Sequence, residues 1–153
     1  MDDRGFDGAK LTTGRKRFIL VDLLGMILTV FVTKGNAPER EGAQQLLEQT
    51  PQDVLDHLLL LWADGGFSGP NFAEWVYQHC GCLVEIVKRS DDAKGFVILP
   101  RQWVVERTLG WISRFRRLSK DYERLAESSQ AWIYAAMIRI MLQRLAKDHS
   151  VYC

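Results

Sequence analysis

The chain has 153 residues, 20 Lys and Arg against 19 Asp and Glu, and 47% apolar side chains, which suits one globular domain with a single core. A formal charge of +1 does not by itself announce a polyanion partner. Three cysteines (Cys80, Cys82, Cys153) argue against a disulfide scaffold and fit a reducing cytosol.

Residues 18–33 form an apolar run after Arg15-Lys16-Arg17. It is shorter than the roughly 20 residues a bilayer span needs, and Asp22 and Gly25 interrupt it. Its Val, Ile, Thr and Phe content predicts a hairpin instead, with strands over 16–22 and 26–33 and a turn at 23–25. No membrane partner is expected. The breaker cluster 34–38 leads into a helix over 39–49, with Ala43, Leu46 and Leu47 at helical spacing. Residues 58–63 are apolar without alternation, which predicts a strand buried on both faces. After Gly65-Gly66 and Ser68-Gly69-Pro70, Asn71 is expected to cap a helix over 72–79. A strand over 83–87, a loop over 88–95, a short extended piece at 96–99 and helices over 102–118 and 129–146 follow. The first residues and the tail from 148 to 153 are expected to be loose. The order describes a mixed α/β sheet with flanking helices.

His79-Cys80-Gly81-Cys82 offers metal-ligand types without a partner cluster elsewhere, so buried thiols at a helix-to-strand turn are the better reading. Two acids are more informative. Asp64 ends the strand at 58–63, where open α/β sheets gather their chemistry, and the glycines after it would admit a phosphate backbone or a metal. An Asp-Gly turn is the bland alternative. Glu106, 42 residues later, borders an apolar helix face of Val105, Leu109 and Ile112, extended by Val104, Trp111 and Phe115. Arginines stand beside it, and a solvated helix with Glu–Arg pairs would look much the same. Between Arg101 and Arg124 there are seven cations against three acids. Arg107, Arg114, Arg116, Arg117 and Lys120 there, with Arg15, Lys16 and Arg17 on the hairpin, are the candidate DNA-backbone contacts.

The blocks Gly14-Arg-Lys-Arg-Phe-Ile-Leu-Val-Asp22, Leu61-Trp-Ala-Asp64-Gly-Gly-Phe-Ser-Gly69, Leu99-Pro-Arg101-x-Trp-Val-Val-Glu106 and Arg114-Phe-Arg-Arg-Leu-Ser-Lys-Asp-Tyr-Glu-Arg124 resemble the catalytic part of bacterial insertion-sequence DDE transposases. The resemblance runs from about residue 6 to 146. It implies a ribonuclease-H-like fold over 1–147, with Asp64 and Glu106 as the second and third catalytic acids. It also implies two Mg²⁺ (or Mn²⁺) ions about 3.5–4 Å apart, and cleavage and strand transfer on double-stranded DNA at element ends and target. A homo-oligomer or an association with a full-length transposase, in the bacterial cytoplasm on the nucleoid, goes with that activity. The family's first catalytic Asp stands in an Asp-Ser motif on a strand upstream of residue 14. Asp2, Asp3 and Asp7 lack that context, and Asp22 matches another position. No helix-turn-helix module precedes the core. Gln102 replaces a usual Arg one turn before Glu106, and Phe18 a frequent His. The expected object is therefore a partial or second-frame product, lacking its first strand and weakly active alone. The alternatives are a non-catalytic DNA-binding or dimerising remnant that regulates an intact transposase, and a decaying product that does not fold stably.

Overall fold

A computed structural model describes residues 4–8, 11–87 and 100–149. The apolar run at 18–33 is a hairpin. β2 (Thr12–Val21) and β3 (Ile27–Lys34) pair antiparallel, with Arg15 opposite Lys34 and Ile19 opposite Val30. The turn is built by Asp22, whose Oδ1 accepts the N–H groups of Leu24 (2.9 Å) and Met26 (2.7 Å). Gly25 supplies the left-handed conformation there, at φ 83°. No helix of the described residues is long and apolar enough to cross a membrane.

Side chains of β2 alternate between two cores. Ile19 and Val21 face a core of Val30, Val32, Ile112, Ile133 and Met137, which belongs to the C-terminal helices. Phe18 faces the other way with Leu20, into a core of Leu46, Leu47, Leu55, Phe72 and Val76. Helices therefore cover both faces. On the first face lie α4 (Pro100–Ser113) and α5 (Ala126–His149); on the second lie α1 (Glu39–Glu48), the short α2 (Gln52–Leu55) and α3 (Pro70–Cys80). α1 approaches the sheet at Gly42, where a Cβ would collide with the Phe18 ring.

Several expectations are corrected. The sheet is in two pieces among the described residues: β1-β2-β3, and a parallel pair of β4 (Leu60–Asp64) and β5 (Leu83–Val87). No strand was expected at β1 (Gly5–Asp7), which pairs with 12–14 at the start of β2, and the first three residues lie outside the described ones. β4 is not buried on both faces. Leu60 and Asp64 are exposed and the residues between are half-buried, because β5 pairs one edge and no described strand pairs the other. Asn71 does not cap α3. Pro70 occupies the first turn with Gly69 before it, as proline's fixed φ and missing N–H favour.

The helix expected over 102–118 breaks at Arg114. Phe115 is extended and 116–118 form a 3₁₀ turn, which lets both Phe115 and the buried Leu118 reach the same core. α5 runs to His149, two residues into the expected tail. The expected loop at 88–95 and extended piece at 96–99 lie outside the described residues.

Residues of β2 and β4, on edges that no described strand pairs, line a cleft of about 540 Å³. Ile19–Leu23 line one side, Leu60–Trp62 the other, and Arg101, Val104 and Val105 of α4 also border it.

Candidate active site

Asp64 closes β4 and is exposed. Its Oδ1 accepts the Gly66 N–H at 2.9 Å, capping the 3₁₀ turn Gly65–Phe67. The turn-forming role that an Asp-Gly sequence allows is therefore present, and it leaves Oδ2 without a hydrogen bond among the described residues. The N-terminus of α1 packs over this turn, with Arg40 donating to the Ser68 carbonyl at 2.5 Å. It brings a second acid that sequence reasoning did not single out. A Cβ placed on Gly66 would lie 2.6 Å from Glu39 Oε2 and 3.1 Å from Asp64 Oδ1. The available signal was position, since Glu39 opens the helix after Pro38.

Glu106 projects from α4 to solvent, with no hydrogen bond or ion pair to another described side chain. What holds its helix in place is a polar contact hidden in the core. Thr108 is fully buried, and its hydroxyl donates to the Gly25 carbonyl (2.8 Å) on the hairpin turn and lies 3.0 Å from the Val104 carbonyl. Beside it, Arg107 donates to the Leu24 carbonyl at 3.0 Å and is sandwiched between the rings of Trp103 (4.7 Å) and Trp111 (4.8 Å). The buried face of α4 therefore centres on Thr108 and Ile112. Leu109, expected on that face, is 37% exposed.

α4 and β4 meet through a three-residue knot. Trp62 Nε1 donates to Glu85 at 2.9 Å, Arg101 pairs with the same carboxylate, and the guanidinium lies 4.6 Å over the Trp62 ring. Asp64 is two residues beyond Trp62, and Glu106 is next to Val105 of the cleft wall. The elements that carry the two acids are thus neighbours, although no hydrogen bond or ion pair joins the acids.

The donor chemistry suits a hard cation. Asp64, Glu39 and Glu106 offer only oxygen, are exposed, and are not in ion pairs. Convergence is partial: among the described residues, no group of three His, Cys, Asp or Glu could hold a metal ion. Asp22 is spent on its turn, and Asp7 is buried 4.0 Å from Lys16 Nζ. The His79–Cys82 segment closes α3 and leads into β5. Cys82 is fully buried, His79 stacks on Trp75 at 4.7 Å, and burial, helped by the Cys82 charge, pushes the Cys80 thiol up to about 11. The Cys82 thiol is raised too, again chiefly by burial.

Five of the eight candidate DNA-contacting cations are engaged within the fold. Arg15, 1% exposed, binds Asp121 (3.1 Å) and the carbonyls of Glu123 (2.9 Å) and Arg124 (2.5 Å). Arg17 donates to the Leu118 carbonyl at 3.1 Å and Lys16 to that of Ala37 at 3.0 Å. Arg107 is held as described, and Arg117 pairs with Glu123 at 2.8 Å above the Trp132 ring. Arg114, Arg116 and Lys120 are exposed, without a side-chain partner among the described residues.

The described residues form a mixed α/β fold with exposed acids at a strand end and on an adjoining helix. The family model described as "Transposase DDE domain" matches residues 1–141, and the chain belongs to that family. Transposition of DNA, a DNA substrate and a nuclease-type chemistry are the family's properties, and its members generally use divalent metals. No curated protein and no solved structure matches the chain.

Proposed function

We propose that this chain forms part of a DDE transposase of the insertion-sequence type, with Asp64 and Glu106 as metal-holding acids in DNA cleavage and strand transfer at element ends. The observation that supports it best is the presence of two unpaired, exposed carboxylates on elements that touch, β4 and α4, in a chain of this family. Bound Mg²⁺ would polarise the phosphodiester, lower the pKa of an attacking water or 3′-hydroxyl and stabilise the leaving oxygen. The chain's own contribution is positional. The Gly66 N–H fixes one oxygen of Asp64, and the Thr108 and Arg107 anchors hold α4 so that Glu106 stands clear of the core.

A third acid, from a longer product or a full-length partner, completes the ligand set in this proposal. Alone, the chain should be weakly active. The test uses supercoiled plasmid carrying the sequences that flank the coding region, with Mg²⁺ or Mn²⁺. Co-expression with an upstream frame should raise nicking, and Asp64→Asn or Glu106→Gln should lower it on the order of 10²–10³-fold, as for groups that stabilise a reacting centre. Nicking by the isolated chain at full level, or indifference to both substitutions, would remove this reading. The incomplete ligand set favours one second reading, a non-catalytic DNA-binding regulator of an intact transposase. It would show as inhibition of the complete enzyme that survives both substitutions.

A further inference from the structure

α5 is apolar on two opposite sides. Ile133, Ala136, Met137 and Ile140 form its inner stripe, packed into the core with Val30 and Val32 of β3. Ala131, Ala135, Ile138, Leu142 and Leu145 form a second stripe, about 160° round the helix at 100° per residue. All five are exposed, Ile138 by 56%, Leu142 by 60% and Leu145 by 58%. Toward the C-terminal end the usual polarity is inverted. Arg144 lies 4.5 Å over Trp111 of α4, while Leu142 and Leu145 stand on the solvent side. A surface helix ordinarily turns charge outward, and one that is apolar all round is ordinarily covered all round.

The outer stripe advances by 4, 3, 4 and 3 residues and contains no charged side chain. That interval is the seam of one helix against another, and a strand or a small ligand has no use for it. The side chains are also graded in size, from two alanines through Ile138 to two leucines. A second α5 laid antiparallel about a twofold axis at Ile138 brings its Leu145 onto Ala131 and its Leu142 onto Ala135. The axis repeats both contacts, so every large side chain meets a small one. In the same register Trp132, 41% exposed beside the stripe, meets the exposed Ala146 of the second copy. A parallel pair would set alanine against alanine and leave a void in half the seam. Arg139 is the charged residue nearest the axis. It lies 5.7 Å from the ring centroid of Phe115 in its own chain, turned from the seam toward α4.

We propose that the outer stripe of α5 is a self-association surface, on which α5 of a second copy of this chain docks antiparallel. The size gradient carries the choice of occupant, because it complements its own reverse. From Ala131 to Leu145 the seam is roughly 21 Å long at 1.5 Å per residue. Such a contact is small for a permanent interface, and the pair should form with a dissociation constant on the order of 10 µM. The proposal does not rest on any role of Asp64 or Glu106.

Analytical ultracentrifugation of the full chain from about 1 to 200 µM tests it. Wild type should pass from one chain to two across that range. Ile138→Lys and Leu142→Lys should each raise the dissociation constant by about 10-fold or more, because a charge would enter the seam unpaired. Their melting temperatures at 1 µM should stay within a few degrees of wild type, since both positions are exposed in the single chain. Orientation is read by cross-linking in Cys153→Ser chains. Under mild oxidation, Ala131→Cys mixed with Leu145→Cys should give a disulfide-linked mixed pair, and neither variant alone should do so. The mixed pair decides the matter should a lysine variant melt early. Wild type that stays single at 200 µM, or a folded lysine variant that associates as wild type does, overturns the proposal. Cross-linking of Ala131→Cys to itself in preference to the mixed pair overturns it too, because the helices would then run parallel. So does a single chain that binds phosphatidylglycerol vesicles through Ile138, since the stripe would then face lipid. Asp64→Asn with Glu106→Gln should associate as wild type does, so loss of nicking with association intact counts only against the carboxylate reading.

Discussion

Cys80 and Cys82 show how position decides what a reactive residue can do. They flank Gly81, whose left-handed conformation ends α3 and lets its N–H reach the Tyr77 carbonyl at 2.9 Å. Packing at that turn removes water from both thiols, and the neutral form is favoured. The folded state therefore holds the Cys80 proton up to about pH 11, whereas the unfolded chain releases it near 9. With a raised folded pKa, the stabilising contribution is complete below pH 9 and fades as pH climbs toward 11. Alkylation by iodoacetamide, followed on the Cys80 peptide by mass spectrometry, should be slower in the native protein than in urea at pH 8.5. The two rates should converge as pH approaches 11. A native rate already equal at pH 8.5 would contradict the burial.

At the scale of elements, the hairpin turn and α4 depend on each other. A Cβ on Gly25 would meet Thr108 Oγ1 at 2.6 Å and Trp111 at 3.1 Å, besides the strain of φ 83°. Gly25→Ala should therefore cost on the order of 1–3 kcal/mol, the range for a side chain forced into a positive-φ position. Thr108→Val keeps the shape but leaves the buried Gly25 carbonyl without its donor, a loss of about 1–3 kcal/mol. Urea midpoints read both, and no change for Thr108→Val would show that water replaces the hydroxyl.

This dependence also explains what sequence could and could not reveal. The hairpin, α1, β5 and both long helices follow from periodicity and from breakers such as Lys34–Pro38, which act locally. Asp64 and Glu106 stood out through local context as well. Thr108 did not, because a threonine on an apolar face looks like an interruption until Gly25 is seen across from it. Nor did the break after Ser113, which carries no Gly or Pro, or the fate of Arg15, whose acid partner lies 106 residues away. Cationic runs at 15–17 and 101–124 read as one surface property, yet long-range pairing divided them into struts and free groups.

At the scale of the whole molecule, two cores lie on either side of a sheet that is in two pieces among the described residues. β3 protects its outer edge with a side chain: Val30 N–H lies 3.0 Å from Tyr134 Oη. Nothing comparable among the described strands guards residues 15–21 of β2 or the inner side of β4. Amide groups on such rims are templates for a further strand. Leu60, 40% exposed at that rim, offers a place to intervene. Leu60→Lys should slow concentration-dependent turbidity and thioflavin-T uptake while shifting the melting temperature by only a few degrees, as for a substitution near the surface. Equal turbidity in both proteins would place the sticky surface elsewhere.

Strand edges that no described strand pairs also have a practical meaning for anyone producing this polypeptide. Yield and shelf life should depend on how crowded the solution is, and dilute, cool handling should preserve monodisperse material longest. A short synthetic peptide of β-forming residues, added during refolding, should act as a chaperone by pairing with those edges before a neighbouring molecule does.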